Sequence, residues 1–213
     1  MEKLQVFNAN LESQGFEDRG HVHMGGLWHK TFHCWLLSKE AGGSILFQLR
    51  SMEKKCCPNL LDISAAGHLV DDEDVADGIR EVSEELGIDI HFEDLYSLGY
   101  RVEVVDAESE KNREYQAVYI GEVDTSLENF TPMISEVSGL VWLRVEDALA
   151  LFDGKLNVAS VNGISYNRET QTWDRIERQV SADDFIPRIQ KYYLTIAIMA
   201  DRYLKSQFPL AIS

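Results

Sequence analysis

The first third of the chain contains short runs of aliphatic and aromatic residues, separated by turn-forming residues. Such runs predict β-strands rather than helices. Two of them flank Ala41, Gly42 and Gly43, and this arrangement is typical of a β-hairpin. The strands predicted in this part of the chain cover residues 4–7, 31–37, 44–49 and 60–65.

The pattern changes to a helical period over residues 75–86. At about 100° per residue, the four apolar positions of this segment fall on one stripe. Three glutamates cluster on another face, and Gly87 follows as the expected C-cap. The segment therefore predicts an amphipathic helix with an acidic face, formed by Glu81, Glu84 and Glu85.

The remaining pattern completes a single α/β domain over residues 1–213. It predicts antiparallel strands at 96–105 and 114–123, a strand at 140–143 and a helix at 145–152. A C-terminal extension, residues 156–213, follows. Turn residues alternate there with apolar ones, which predicts a hairpin or irregular arm over 157–180, and residues 183–204 predict a long helix with one broad apolar face.

Composition and charge narrow the class of protein. The 213 residues can bury one sizeable core, and the formal net charge of −16 disfavours binding to nucleic acid. No apolar run reaches the length of a membrane span, and the acidic N-terminus has no signal-peptide pattern, so a cytoplasmic location is expected, with no membrane partner. Three cysteines, two of them adjacent, suit neither a disulfide framework nor a tetrahedral zinc site.

The acidic helix face carries the first indication of chemistry. Like charges three and four residues apart disfavour a helix, and Arg80 is one cation among three carboxylates. A hard divalent cation such as Mg²⁺ takes oxygen ligands from one or two carboxylates, from waters and from substrate phosphates. A solvated acidic face remains the alternative when these residues are considered alone.

The spacing around this helix resembles the Nudix box, which spans residues 67–88 here. Gly67, Glu73, the Arg80-Glu81-Val82 run and the segment 84–88 carry the resemblance. Six residues separate Glu73 from Arg80, where the family pattern has seven, so the loop before the helix should differ. The resemblance implies an α/β/α sandwich with a mixed sheet, in which residues 28–155 form the Nudix core and the C-terminal helical extension is added.

The resemblance also implies site residues. Glu81 and Glu85 would bind Mg²⁺, or Mn²⁺ as a substitute, with Glu84 joining them or holding a second metal. The backbone carbonyl of Ala66 matches a further ligand of the family. Arg80 would orient the carboxylates, and Glu73 would support the loop.

A finer resemblance, to the Nudix branch related to isopentenyl diphosphate isomerase, rests on residues 26–33, 46–51 and 64–68. The isomerases have a cysteine where this chain has Ala66, which cannot transfer a proton. Glu114 matches a catalytic glutamate of that branch, and Glu136 or a box glutamate are the alternative general bases. The residues expected to contact substrate are Arg50, Lys54 and His68.

These features predict a Mg²⁺-dependent hydrolase of a small organic diphosphate, either a nucleotide derivative, an isoprenoid or a thiamine-type compound. The alternatives are an isomerase, which Ala66 disfavours, and a non-catalytic ligand-binding module, which would be expected to lose box glutamates. A homodimer is also expected, because symmetric dimers are frequent among soluble enzymes.

Overall fold

A computed structural model describes residues 2–107 and 110–212. Its strands join into one mixed β-sheet with helices on both faces. The strands are β1 (Lys3–Phe7), β2 (Ser13–Asp18), β3 (Trp28–Ser38), β4 (Ser44–Arg50), β5 (Leu61–Asp62), β6 (Ala65–His68), β7 (Tyr96–Ala107), β8 (Glu110–Glu122), β9 (Val137–Arg144), β10 (Ala159–Asn167) and β11 (Thr172–Val180). The helices are α1 (Arg19–Gly25), α2 (Arg80–Leu86), α3 (Val145–Phe152) and α4 (Tyr192–Leu204).

Strand β3 is the centre of the sheet. One edge of β3 pairs in parallel with β8, which continues antiparallel into β7. Its other edge is shared by β4, β6 and β1, all antiparallel. Strands β3 and β4 pair only at two positions, Leu37 with Ile45 and Ser38 with Ser44, and then separate. The gap that they leave is occupied by β6, which carries the first residues of the box motif.

The two faces of the sheet bury different apolar clusters. On one face Phe32, Cys34 and Leu46 pack with Val82 and Leu86 of α2. Because side chains alternate along a strand, the neighbours of these residues point to the opposite face. There a larger cluster joins the sheet to α3 and α4, and it includes Trp35, Phe47, Val145, Tyr193 and Ile196. The α/β/α sandwich with a mixed sheet is confirmed.

The predicted helix over 75–86 is wrong in its first turn. The structure has a tight 3-10 turn at Asp77–Ile79, and the α-helix begins at Arg80. A Cβ at Gly78 would lie 2.6 Å from the Cβ of Phe32, so the turn packs directly against β3. Gly87 ends α2 as predicted, with φ +66 and its N–H donating to Ser83 O.

The long helix predicted over 183–204 is present and ends at Leu204 as predicted, but its predicted first half is wrong, because α4 begins only at Tyr192. Phe185 forms a bridge to Leu61, and the N–H of Ile186 donates to Leu61 O, so this backbone is committed to the sheet. Pro187 disfavours helical backbone at the residue before it. The arm predicted before it is a regular hairpin, in which β10 and β11 extend the same sheet through β9.

Two N-terminal elements, β2 and α1, have no counterpart in the pattern analysis. Strand β2 is mostly exposed, and α1 buries only Val22. Neither therefore has the apolar period by which an element is found in a sequence. Within residues 2–107 and 110–212, none of the helices has the length and apolar character needed to cross a bilayer.

Candidate active site

Glu85 is the most deeply placed of the box carboxylates. It lies on the last turn of α2 and is 8% exposed. Its Oε2 accepts hydrogen bonds from the backbone N–H of Ala66 at 3.1 Å and from Nε2 of Gln48 at 3.0 Å. Its other oxygen, Oε1, accepts no hydrogen bond from any residue that the structure describes. Hydrogen bonds to Oε2 therefore fix the side chain, and Oε1 is available to bind a ligand.

Arg80 holds the remaining box carboxylates in place. Its Nε and Nη2 donate to the two oxygens of Glu73 at 2.7 and 3.0 Å. Its Nη1 donates to Glu81 at 2.7 Å and to Glu84 at 3.1 Å. Nη2 also donates to the carbonyl of His68, which fixes α2 against β6. One guanidinium therefore orients three carboxylates and one strand.

Gly67 sets the distance between β6 and the helix. A Cβ at this position would lie 2.0 Å from Oε1 of Glu81. The Glu81 carboxylate therefore occupies the space that any other side chain at position 67 would need. The glycine of the motif is required here because of this close approach.

Burial and mutual repulsion change how the carboxyl groups titrate. Burial, followed by the charge of Glu81, raises the pKa of Glu85 to about 8. Burial likewise raises the pKa of Glu81, although Arg80 opposes the change. Burial would raise the pKa of Glu73 too, but its hydrogen bonds from Arg80 and from the Val70 N–H hold that pKa below its ordinary value. In the absence of a cation, the site therefore favours the protonated forms of Glu81 and Glu85, and a bound cation would favour their charged forms.

The raised pKa of Glu85 predicts a pH-dependent stability in metal-free protein. Its folded pKa of about 8 lies above the ordinary 4.5, so folding favours the protonated form. The stabilisation is complete below pH 4.5 and is lost as the pH rises toward 8, at up to about 1.4 kcal/mol per pH unit. Chemical denaturation in EDTA between pH 5 and 9 measures this change in the free energy of unfolding. Glu85→Gln should flatten the profile, whereas the exposed Glu93→Gln should leave the slope unchanged.

Glu114 does not join the box carboxylates. It is buried on β8, where it accepts hydrogen bonds from Gln116 and Asn112 and lies 3.8 Å from Nε2 of His29. His29 and Thr31 alternate along β3 with Phe32, which packs against α2, so Glu114 lies on the face of the sheet opposite the box helix. The structure separates the predicted base from the predicted metal ligands.

His68 belongs to a cluster that the sequence analysis missed. The ring nitrogens of His23, His29 and His68 lie within 4.8 Å of one another, with Nε2 of His23 3.3 Å from Nε2 of His68. Nε2 of His29 is buried and lacks a hydrogen-bond partner among the described residues. Burial, and then His29, lowers the pKa of both His23 and His68. The cluster offers three nitrogen ligands on the face that holds Glu114.

The predicted substrate cations already have protein partners. Arg50 donates through Nε and Nη2 to the carbonyl of Cys56 and through Nη1 to Asp62. Lys54 forms an ion pair with Glu136, the alternative base. Lys54 is near enough to lower the pKa values of Glu85 and His68, though other causes dominate both.

Comparison with known proteins identifies the family to which this chain belongs. The NUDIX domain family matches residues 27–161, which is more than half of the chain. The chain belongs to the Nudix hydrolase family. Members of this family act on pyrophosphate bonds, so the enzyme class predicted from the box is confirmed.

Individual Nudix relatives support the assignment over most of the chain. An uncharacterized Nudix hydrolase of Clostridium acetobutylicum is 33% identical over 203 residues, which cover 94% of this chain and 98% of that protein. Nudix hydrolase 3 of Arabidopsis thaliana is 31% identical over 153 residues, 68% of this chain but 20% of that protein. The crystal structure of DR0079 from Deinococcus radiodurans shares the fold, with a TM-score of 0.52, 22% identity, and coverage of 72% of this chain and 90% of that one.

Proposed function

We propose that this Nudix protein is a divalent-metal-dependent hydrolase of small organic diphosphates, with Glu81, Glu84 and Glu85 as its metal-binding carboxylates. The observation that carries the proposal is the hydrogen bonding of the Glu85 carboxylate. Its Oε2 accepts hydrogen bonds from Ala66 and Gln48, while its Oε1 accepts none from the described residues. A pre-oriented carboxylate oxygen beside other carboxylates is a ligand set for Mg²⁺ or Mn²⁺.

The donor set fits such a cation. Arg80 pairs with three carboxylates, those of Glu73, Glu81 and Glu84. Burial makes the charged forms of Glu81 and Glu85 unfavourable without a further cation. A bound Mg²⁺ would neutralise phosphate oxygens and make a water nucleophilic. Ala66 is placed beside this set by its hydrogen bond to Glu85, and we propose that its carbonyl completes the ligands.

We assign the general base to the box rather than to Glu114. Glu81 has one oxygen, Oε1, held by Arg80, while its Oε2 accepts no hydrogen bond from the described residues and is open to accept a proton from water. Glu114 lies on the other face of the sheet. Arg50 and Lys54 would bind the phosphate groups after exchanging their present contacts for substrate oxygens.

The alternatives have less support. An isomerase of isopentenyl diphosphate needs a proton-transfer group where this chain has Ala66. A non-catalytic module has no need of the complete acidic set that Arg80 organises. The substrate class stays a proposal: a nucleotide derivative, an isoprenoid diphosphate or a thiamine-type diphosphate.

A substrate panel tests the proposed hydrolase. Phosphate and pyrophosphate release would be measured with Mg²⁺ or Mn²⁺ on nucleoside diphosphate sugars, dinucleoside polyphosphates, nucleoside triphosphates, thiamine diphosphate and isopentenyl diphosphate. Isomerisation of the last compound would be followed in the same samples. We expect metal-dependent cleavage of one class, abolished by EDTA. Isomerisation without hydrolysis would contradict the proposal.

We also propose that His23, His29 and His68 bind a second metal ion of the nitrogen-preferring kind, such as Zn²⁺ or Co²⁺. Three imidazoles are the ligand number of many zinc sites, and the lowered pKa values of His23 and His68 keep those rings neutral, as ligation requires. Glu114 beside His29 and Glu2 beside His68, at 3.8 and 3.9 Å, could orient the rings or supply oxygen ligands.

Metal content tests the histidine site separately from activity. Protein dialysed against Co²⁺ should show the absorption bands of a nitrogen-ligated site. It should also bind one more Co²⁺ ion per chain than the His23→Ala variant does. The matched control is His21→Ala, because His21 is exposed and pairs with Glu17 outside the cluster. Equal Co²⁺ content and spectra in His23→Ala and in the unmodified protein would show that the cluster binds no metal.

A further inference from the structure

The loop between β4 and β5 carries two adjacent cysteines that the proposed reaction does not use. Sγ of Cys56 and Sγ of Cys57 lie 3.1 Å apart, and both residues are thiols. Cys56 is exposed and Cys57 partly exposed, so small reagents can reach the pair. Cys57 has φ +50, a left-handed backbone that contributes to the turn. The third cysteine, Cys34, is fully buried, and burial raises the pKa of its thiol well above its ordinary range.

The peptide group between these cysteines is held by a residue of the proposed substrate site. The carbonyl of Cys56 accepts hydrogen bonds from Nη2 of Arg50 at 3.1 Å and from Nε of Arg50 at 3.3 Å. Backbone hydrogen bonds close the loop on the same residue, since Arg50 N–H donates to Leu60 O and Asn59 N–H donates to Arg50 O. A change at the Cys56–Cys57 peptide is therefore transmitted directly to the Arg50 guanidinium.

We propose that Cys56 and Cys57 form a reversible redox-modification site, which closes to a disulfide between neighbours and thereby releases Arg50. The coupling to substrate binding rests on the proposed function, whereas formation of the disulfide does not. The oxidant that the site takes is a low-molecular-weight disulfide of the glutathione class.

The exchange balances in two steps. One cysteine thiolate attacks glutathione disulfide, forms a mixed disulfide and expels one glutathione thiolate. The second cysteine thiolate attacks the protein sulfur of that mixed disulfide, forms the Sγ–Sγ bond and expels the second glutathione. The two cysteines lose two electrons and two protons in total, and glutathione disulfide becomes two molecules of glutathione.

The geometry predicts that this disulfide is easily reduced. Neighbouring Cα atoms are about 3.8 Å apart across a trans peptide, which is shorter than the roughly 4.4–6.8 Å of ordinary disulfides. The ring that closes includes the Cys56–Cys57 peptide, so closure strains and turns that peptide. Strained, exposed disulfides have more oxidising potentials and are the reversible ones. The carbonyl that Arg50 binds belongs to the group that must turn.

Mass spectrometry of the intact chain across glutathione disulfide to glutathione ratios tests the chemistry without any substrate. Cleavage after Lys55 and Arg80 isolates both cysteines in one peptide. We expect this peptide to lose two hydrogens under oxidising ratios and to regain them with dithiothreitol, while the peptide of Cys34 stays unchanged. Cys57→Ser should give only a mixed disulfide at Cys56. Mixed disulfides alone in the unmodified chain, or no reaction at all, would overturn the proposal.

The coupling to Arg50 has a readout that needs no turnover. Phenylglyoxal modifies arginine side chains, and its rate at Arg50 can be measured by peptide mass. We expect the rate to rise about tenfold on oxidation, the factor for losing a hydrogen bond from a charged donor, and to stay constant in Cys57→Ser. Unchanged Arg50 reactivity in the oxidised chain would overturn the coupling. Once a substrate is known, oxidation should raise KM more than it lowers kcat, whereas absence of turnover would contradict only the hydrolase assignment.

Discussion

Glu85→Gln is expected to lower metal-dependent diphosphate hydrolysis by about two to three orders of magnitude, the effect of removing one pre-organised charged group from a transition state. The substitution keeps the size of the side chain and both of its hydrogen-bonding neighbours, the Ala66 N–H and the Gln48 amide. It removes the anionic oxygen proposed as metal ligand. Steady-state kinetics over a Mg²⁺ titration, with metal affinity measured separately by calorimetry, would show a loss of affinity alongside the loss of kcat.

Two comparisons make the Glu85→Gln result interpretable. Glu93→Gln changes an exposed glutamate to the same amide and should keep full activity. Thermal unfolding in EDTA should show Glu85→Gln to be at least as stable as the unmodified protein at pH 8 and above, because the amide avoids the cost of a buried charge. Near-normal turnover of Glu85→Gln in Mg²⁺ would disprove the metal assignment.

The parts of the fold that could be predicted from sequence are those with a clear apolar period. Helix α3, Val145–Phe152, agrees at both ends, because its apolar positions repeat regularly and a strand precedes it directly. Gly87 could be predicted as the end of α2 because a glycine after the last apolar position has few other roles. The sheet hairpins followed from runs of β-branched and aromatic residues.

The errors have equally local causes. The apolar period across residues 183–204 is real, but Phe185 and Ile186 use their backbone groups to join Leu61, and a period cannot reveal this competition. The apolar pattern predicts the start of α2 too early, because the contact between Gly78 and Phe32 joins two segments that are far apart in sequence. Element α1 could not be predicted, since it buries one apolar residue only.

The candidate site also contains residues that could be grouped from the sequence and residues that could not. The box residues could be grouped from their spacing on one helix, and the structure places them around Arg80. The histidine cluster could not, because its members come from α1, β3 and β6 and meet only in the folded structure, through the pairing of β3 with β6 and the packing of α1. A weak signal is present in the sequence, since His29 and His68 lie within three residues of the predicted strands 31–37 and 60–65. The face of the sheet on which Glu114 lies could not be predicted either, because it depends on the register of β8 against β3.

Gly67→Ala is expected to cost both stability and most of the activity. The added Cβ would lie 2.0 Å from Oε1 and the carboxyl carbon of Glu81, so the carboxylate must move or β6 must shift. Overpacking of this kind costs about 1–3 kcal/mol. Glu81 also accepts a 2.7 Å hydrogen bond from Arg80, which the movement would weaken. Glu81 is proposed both as general base and as metal ligand. Because its carboxylate would be displaced, kcat should fall by about 100-fold.

Gly20→Ala is the matched control for Gly67→Ala. A Cβ at Gly20 meets no atom within 4 Å, so the same chemical change should leave activity unaltered. Because Gly20 is in helix α1, the change should not destabilise the fold and should stabilise it by about 0.4–1 kcal/mol. The pair separates the effect of an added methyl group from the effect of its position. If Gly67→Ala lost stability but kept kcat, the position of Glu81 would not matter to the reaction, and the base would have to be sought elsewhere. If both losses occurred together and Gly20→Ala showed neither, the close approach of β6 to α2 would be part of the catalytic geometry, because the added methyl group meets Glu81 at position 67 and no atom at position 20.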